Sequence, residues 1–314
     1  MRKKGKKGKA LQIIEYAGVY LIISITRFLP LPAVHLISNV LGDLLFFTVP
    51  KRRNIALDNL RKAFRGEKGE VEIKTIARES CRSFFLTYLE MIKFRLHLIS
   101  PERFEDLKER TKGVENLFRK AKAVHDESGG CIFVTPHIGN WEFLPYVSSM
   151  VGIPLVVVVR PLDNPYLERL LYRSRSESGQ AIIPKRNALF VLQKTLREGK
   201  SVGMLPDQST MKGIPVDFFG RRATTTPVPA MLATMYKRPI VVVACCRRDD
   251  GKGFDGYVSD PVRPGEYESE KEEIYRLTEE MNREMERVVR KYPLQYLWIH
   301  NRWKTYRGKK TVME

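Results

Sequence analysis

The sequence predicts an α/β fold: a mainly parallel sheet with helices on both faces, preceded by N-terminal membrane-associated helices. Three observations predict it. From about residue 112, short apolar runs alternate with amphipathic stretches, the pattern of parallel strands joined by crossover helices. Residues 51–111 show helical periodicity. Ahead of them lie a lysine-rich leader and two long apolar stretches. The chain therefore divides into a leader with membrane-associated helices (1–50), a helical segment (51–111) and an α/β domain (112–314).

The leader MRKKGKKGK carries six basic side chains and no acid. The run LQIIEYAGVYLIISITRFLPL follows, without a small-x-small cleavage site and interrupted by Glu15, so no cleavage is expected. Its uncharged stretch, Tyr16 to Thr26, is 11 residues, whereas a spanning helix needs roughly 20. Residues 32–49 form a second apolar stretch, broken by His35 and Asp43. Either residues 10–31 make one short transmembrane helix, N-terminus inside, or both stretches lie in the interface as monotopic helices. Core helices of a soluble domain are the third reading. The basic leader favours a membrane, since attraction to anionic lipid is worth about 1 kcal/mol per nearby Lys or Arg.

RRNIALDNLRKAF places Ile55, Leu57, Leu60 and Phe64 near one helical face, and IARESCRSFFLTYLEMIKF does the same with Ile76, Cys81, Phe84, Phe85 and Leu89. Strands are expected at Cys131–Thr135, Leu155–Arg160, Ala181–Ile183, Ser201–Leu205 and Ile240–Cys246. NPYLERLLYRSRSES and NALFVLQKTLREG read as helices between them. ESEKEEIYRLTEEMNREMERVVRKY is an amphipathic helix with Ile274, Leu277, Met281, Met285 and Val288 on its apolar side.

Composition narrows the function classes. The 314 residues are 43% hydrophobic, which supplies a core, and the formal net charge of +19 favours an anionic partner such as a membrane surface, an acidic protein or a phosphorylated substrate. Nucleic acid is the other anionic class, but no groove-reading motif accompanies the charge. The four cysteines lie in strand-like or helical apolar runs, which fits a reducing compartment. With no CxxC or HExxH spacing, neither a metal site nor a cofactor is expected.

TPHIGNWEF, residues 135–143, carries the chemistry. His137 follows the apolar run Cys131–Val134, Gly139 and Asn140 make a turn, and Glu142 falls in the first turn of a helix opened by Trp141. Open α/β sheets bind ligands beyond the carboxyl ends of their strands. Five residues on an ideal helix is about 500°, so the two side chains meet only across a strand–turn–helix corner. There Glu142 would hold one imidazole nitrogen and leave the other to take a proton from a hydroxyl. The motif has no Ser or Cys nucleophile, which favours direct attack by an acceptor alcohol. Backbone N–H groups at the helix start would stabilise a thioester oxyanion. Taken alone, the spacing equally fits a histidine closing a strand beside a solvated glutamate.

HIGNWE closely resembles the acylating motif of the lipid A late acyltransferases, the lauroyl/myristoyl family of lipopolysaccharide synthesis. Four more blocks resemble that family in the same order: VVVRPLDNPYLERLLYRSR, GMLPDQS, PVDFFGRRATTTPVPAMLA and YPLQYLWIHNRWK. The resemblance spans residues 10–305 and implies a glycerolipid-acyltransferase-like fold. It implies His137 as general base with Glu142 as its partner, and Asn140, Arg160, Arg175, Asp207 and Gln208 as supporting or substrate-binding residues. An Arg at position 175 suits a phosphate, and Asp207 would hold that Arg or contact an acceptor hydroxyl. Related glycerol-phosphate acyltransferases usually carry Asp where this chain has Glu142, and lack the QYLWIH tail. Thr224, Thr225 and Thr226 line the site or cap a helix near Val228. His300, flanked by Trp298 and Trp303, reads as a packing residue; the family often has Arg-Arg where this chain has Asn301-Arg302. By the resemblance the donor is acyl carrier protein, the acceptor a phosphorylated glycolipid or a lipid of the phosphatidylinositol-mannoside type. The place of action is the cytoplasmic membrane, with the catalytic domain on its cytoplasmic face.

Overall fold

The computed structural model describes residues 8–99, 112–159, 161–176, 180–184, 188–251 and 253–304. Residues 1–7 of the basic leader and Arg160 fall outside that set, as does the side chain of Arg175.

Two apolar helices open the chain, α1 (Lys9–Phe28) and α2 (Leu31–Thr48). Pro30 ends the first, because a residue before proline avoids the helical region, and prolines fit the first turn of the second. Both are long and apolar enough to cross a membrane. The acid that interrupts the second stretch has a local reason. Asp43 lies on the face of α2 that packs along α4 (Glu70–Ile99), where its carboxylate accepts hydrogen bonds from Arg78 and Arg82. Gly42, beside it, lets α2 come so close that a Cβ would stand 2.5 Å from the Arg82 backbone. Helix α3 (Pro50–Ala63) joins the two.

Helix α5 (Lys112–Ser128) leads into the sheet. Its strands are β1 (Ile132–Val134), β2 (Leu155–Val159), β3 (Ala181–Pro184), β4 (Ser201–Met204), β7 (Ile240–Arg247) and β8 (Phe254–Val258), in the spatial order β3-β2-β4-β1-β7-β8. All pairs are parallel except β7–β8, which is antiparallel. The crossovers are α6 (Leu144–Met150), α7 (Pro165–Ser176), α8 (Ala188–Arg197) and α9 (Val228–Tyr236); α10 (Glu270–Lys291) closes the fold. Strand side chains alternate between two cores, as a period of two requires. Ile132, Val134, Ile240 and Val242 join Leu192, Leu232 and the Ile274–Val289 stripe of α10 on one face. Phe133, Val241 and Val243 join Phe118, Leu144 and Tyr146 on the other. The helices thus cover both faces, as the alternation predicts.

Two features depart from the sequence reading. The segment after Asn140 is a 3-10 turn, Trp141–Phe143, before α6 begins. Pro145 has no N–H to bond back to Trp141, so the Leu144 N–H closes a tighter turn on the Trp141 carbonyl. The structure also adds β8 and a hairpin of β5 (Ile214–Phe218) and β6 (Arg221–Thr225). Phe219 and Gly220 both have positive φ at the hairpin tip, the mark of a two-residue hairpin turn. The alternating burial of β5 was a readable signal, masked by the exposed Arg221 and Arg222.

Candidate active site

The site lies where β1 and β4 end side by side. Val134 is paired with Met204, and the Thr135 N–H extends the pairing to the Met204 carbonyl. Residues just beyond two parallel neighbours therefore face one another. His137 Nδ1 stands 2.6 Å from Asp207 Oδ1, and the His137 main-chain N–H donates to Asp207 Oδ2 at 2.9 Å. Both carboxylate oxygens of Asp207 are thus engaged with one residue. Beside a carboxylate, Nδ1 carries the proton and Nε2 keeps its lone pair. The Gln208 amide nitrogen lies 3.3 Å from Nε2 and can donate to it. The Trp141 ring meets the imidazole edge-on, with centroids 5.3 Å apart.

At Nδ1 this geometry has a different carboxylate from the one the sequence led us to expect. The carboxylate on the His137 ring belongs to Asp207, and Glu142 sits buried within the 3-10 turn. The cause is strand order: β4 inserts beside β1, so the acid that completes the corner comes from the far end of a different crossover. Burial pushes the Asp207 carboxyl up, but the His137 imidazole, its hydrogen bonds and the Arg302 guanidinium outweigh it and hold the carboxyl below its ordinary value. Burial and the Asp207 carboxylate push the Tyr296 hydroxyl well above its own.

The turn that presents His137 is clamped on three sides. Gly139 has φ +58°, and a Cβ there would lie 2.1 Å from the Cys245 carbonyl. The Asn140 N–H donates to that same carbonyl at 2.7 Å. From α4, the Thr87 hydroxyl donates to the Gly139 carbonyl, and Glu90 accepts from Asn140 Nδ2. Glu90 is itself held by a two-pronged bond from Arg247, whose guanidinium also reaches Ser83 and Thr87. From the C-terminal segment, Leu297 N–H donates to the His137 carbonyl and Ile138 bridges to Tyr296. Asn140 is therefore a residue that fixes the turn. Thr87, Glu90 and Arg247 were not found from the sequence, since each stands alone in its own pattern.

The threonines take a role other than capping. Helix α9 has no side-chain cap. Thr224 instead meets Ser209, and Thr225 accepts from Arg302 at 2.6 Å and from Asn282. Arg302, 1% exposed, also donates to the Thr224 carbonyl and lies over the Phe218 ring. Trp298 is fully buried among Phe64, Phe219 and Tyr296, and Asn59 ties α3 to the carbonyls of Trp298 and His300.

An apolar cavity of about 50 Å³ adjoins the histidine. Trp141 belongs to its wall as well as to the His137 contact, and Phe133, Leu155, Val157, Gly203 and Val243 continue it beneath the sheet. Among the described residues no cluster of His, Cys, Asp and Glu could hold a metal.

The sequence profile of the bacterial lipid A biosynthesis acyltransferases matches residues 3–305. The lipid A biosynthesis palmitoleoyltransferase of Escherichia coli strain K12 is 26% identical over 282 residues, covering 88% of this chain and 87% of that one. The lipid A biosynthesis lauroyltransferase of the same strain is 24% identical over 292 residues, with the same coverage. A phosphatidylinositol mannoside acyltransferase of Mycolicibacterium smegmatis is 26% identical over 137 residues, 42% of this chain and 45% of that one.

Proposed function

We propose a reaction from one premise: the chain belongs to the bacterial lipid A biosynthesis acyltransferases. It is thus an acyltransferase with an acyl donor and a glycolipid acceptor. In the proposed reaction His137 Nε2 takes the proton from an acceptor hydroxyl as that oxygen attacks an acyl thioester carbonyl. The tetrahedral intermediate collapses, the carbon–sulfur bond breaks, and the imidazolium returns its proton to the leaving thiolate. Asp207 holds the ring in the tautomer that leaves Nε2 bare and stabilises the imidazolium between the two transfers. Gln208 marks the approach to Nε2, and Glu142 with Asn140 supports the turn. N–H groups at the start of the 3-10 turn, which has no side-chain cap, stabilise the oxyanion. The cavity beside Trp141 takes the end of the acyl chain. By the family resemblance, Arg175 would bind a phosphate on the acceptor, with Arg160 as a supporting residue.

The donor in this reading is acyl carrier protein, an acidic partner suited to a chain of net charge +19. Membrane association is supported by exposed apolar side chains on α1 (Leu11, Ile14, Leu21, Ile25, Phe28) and α2 (Leu36, Val40, Leu44, Phe47). Asp43 stands at the border of that apolar stripe on α2, paired with Arg78 and Arg82, and a charged cluster there fits helices lying in the interface better than helices that span. A cytosolic thioester donor places the site on the cytoplasmic face.

The observation that carries this reading is the His137 ring, held at Nδ1 by a buried carboxylate and met at Nε2 by the neutral Gln208 amide at 3.3 Å, which an acceptor hydroxyl would replace. His137→Ala should lower transfer from acyl carrier protein by about 10²–10⁴-fold while the protein still folds. Turnover close to wild type would overturn the assignment. Mass spectrometry of membrane lipids from cells with and without the protein identifies the acceptor, and a mannosylated product would favour the phosphatidylinositol-mannoside type over a lipid A precursor.

A further inference from the structure

Glu15 is the one acid in α1, a helix otherwise uncharged between Lys9 and Arg27. A carboxylate opposes burial of that helix in lipid, so its surroundings matter. The structure supplies a partner from the catalytic half of the chain. Asn164 Nδ2 donates to Glu15 Oε2 at 3.1 Å and to the Gln12 carbonyl at 2.9 Å. Asn164 Oδ1 meanwhile accepts from the N–H groups of Tyr166 and Leu167, at 3.0 and 3.4 Å, and so caps α7. Asn164 is 5% exposed, and the Tyr16 and Tyr166 rings pack beside it at 6.0 Å. One amide thus ties the start of α7 to α1, with its oxygen used on one helix and its nitrogen on the other.

Helix α7 leaves the carboxyl end of β2, the strand next to β4, whose end delivers Asp207. It lies on the same edge of the sheet as His137 and bears Arg175. Gln12, Glu15 and Tyr16 share one face of α1, as a spacing of three and four dictates. On the other side of the helix Ile14, Leu21, Ile25 and Phe28 remain exposed. Helix α1 therefore has two separable faces, one apolar and outward, one polar and docked.

We infer that Glu15 and Asn164 are positioning residues: through them the membrane-associated helix α1 braces α7 at the mouth of the active site, so that α1 sets catalytic geometry as well as location. This rests on the acyl-transfer reading above. Losing the brace lets the start of α7 fray and shift. The acceptor, which reaches the site from the membrane side, then meets a misplaced helix.

The test separates the two faces by making α1 more apolar. Glu15→Leu removes the latch and should bind anionic phospholipid vesicles at least as well as wild type. An anchor alone would then leave transfer unchanged or raised. The brace requires kcat/KM for the glycolipid to fall about tenfold, the scale of one lost charge-assisted hydrogen bond. Glu15→Gln, which keeps an accepting oxygen, should recover most of that loss. Hydrogen exchange on the full-length protein supplies a readout independent of transfer. In Glu15→Leu, the Tyr166 and Leu167 amides should exchange faster while those of β1 and β4 stay protected. Unchanged exchange at 166 and 167, or wild-type transfer at equal vesicle binding, overturns the brace. Wild-type protein that exchanges as expected but acylates no glycolipid would instead overturn the functional reading.

Discussion

Replacing Asp207 by Asn tests the core of the site with almost no change in shape. Asp207 presents two acceptor oxygens to two donors of one residue, the His137 main-chain N–H at 2.9 Å and the ring Nδ1 at 2.6 Å. Asparagine offers one oxygen and one NH2. The main-chain N–H can only donate, so it claims the oxygen, and the NH2 then faces Nδ1. That forces the ring proton onto Nε2, the nitrogen that must be bare to act as a base. The expected loss in kcat is about 10³–10⁴-fold, on the scale of a triad aspartate changed to asparagine. Asp207→Ala imposes no tautomer and should be no worse than Asn. Single-turnover transfer from acyl carrier protein, with nitrogen-15 spectra of the His137 ring, measures both rate and tautomer. A kcat within tenfold of wild type, or a ring still protonated at Nδ1, would refute the reasoning. The same carboxyl gives a stability signature. Its folded pKa lies below its ordinary value, so the native state binds fewer protons than the unfolded chain. The resulting stabilisation is present above pH of about 4 and is lost as pH falls through the folded pKa. The stability gap between wild type and Asp207→Asn should therefore narrow on acidification below about pH 4.

Other perturbations follow from the clamp around the turn and from the buried thiols. Gly139→Ala meets the Cys245 carbonyl at 2.1 Å in a left-handed backbone, so the turn must move; a shift near 1 Å should lower kcat about 100-fold, read by steady-state kinetics beside a thermal melt. Glu90→Gln leaves the 11%-exposed Arg247 side chain without its counter-charge and should destabilise by about 3–5 kcal/mol in denaturant titration, whereas Lys62→Ala, an exposed pair with Asp58, should change stability by less than about 1 kcal/mol. Burial pushes the Cys81, Cys131 and Cys246 thiols up to about 12, and Cys245 higher than its ordinary value by a wide margin. Native protein should therefore resist thiol reagents at neutral pH, with all four cysteines reacting on unfolding; rapid labelling of the folded chain would contradict the packing of both cores.

What could be read from the sequence follows from how local each signal is. The strand Cys131–Thr135, the turn at Gly139-Asn140 and the position of His137 at the strand end are contiguous, so a periodicity argument reaches them. Asp207 was legible as a residue of a quoted block. Its partner was not, because naming it needs the strand order, which places β4 beside β1 although 66 residues of chain lie between the end of β1 at Val134 and the start of β4 at Ser201. Glu142 was assigned to the ring for the same reason: it is near in sequence, while the register brings Asp207 near in space. Thr87, Glu90 and Arg247 carry no spacing at all. They come from the middle of a long helix and the last residue of a strand, and only the crossing of α4 over the strand ends makes them one network.

The two acids in the N-terminal helices extend this point. In sequence, Glu15 and Asp43 are interruptions of apolar stretches and argue against a membrane. In the structure each is the place where its helix docks on the rest of the chain: Asp43 on Arg78 and Arg82 of α4, Glu15 on Asn164 ahead of α7. The apolar residues around them remain outward. A lone acid in such a helix therefore marks a point where the helix meets the protein, at or beside the border of its exposed apolar face. On α2, Leu36, Val40, Leu44 and Phe47 line that face at spacings of four, four and three, and Asp43, three residues from Val40 and four from Phe47, sits at its border. That stripe is the surface on which an interface-lying helix would meet lipid, with the Asp43 carboxylate at its border neutralised by Arg78 and Arg82.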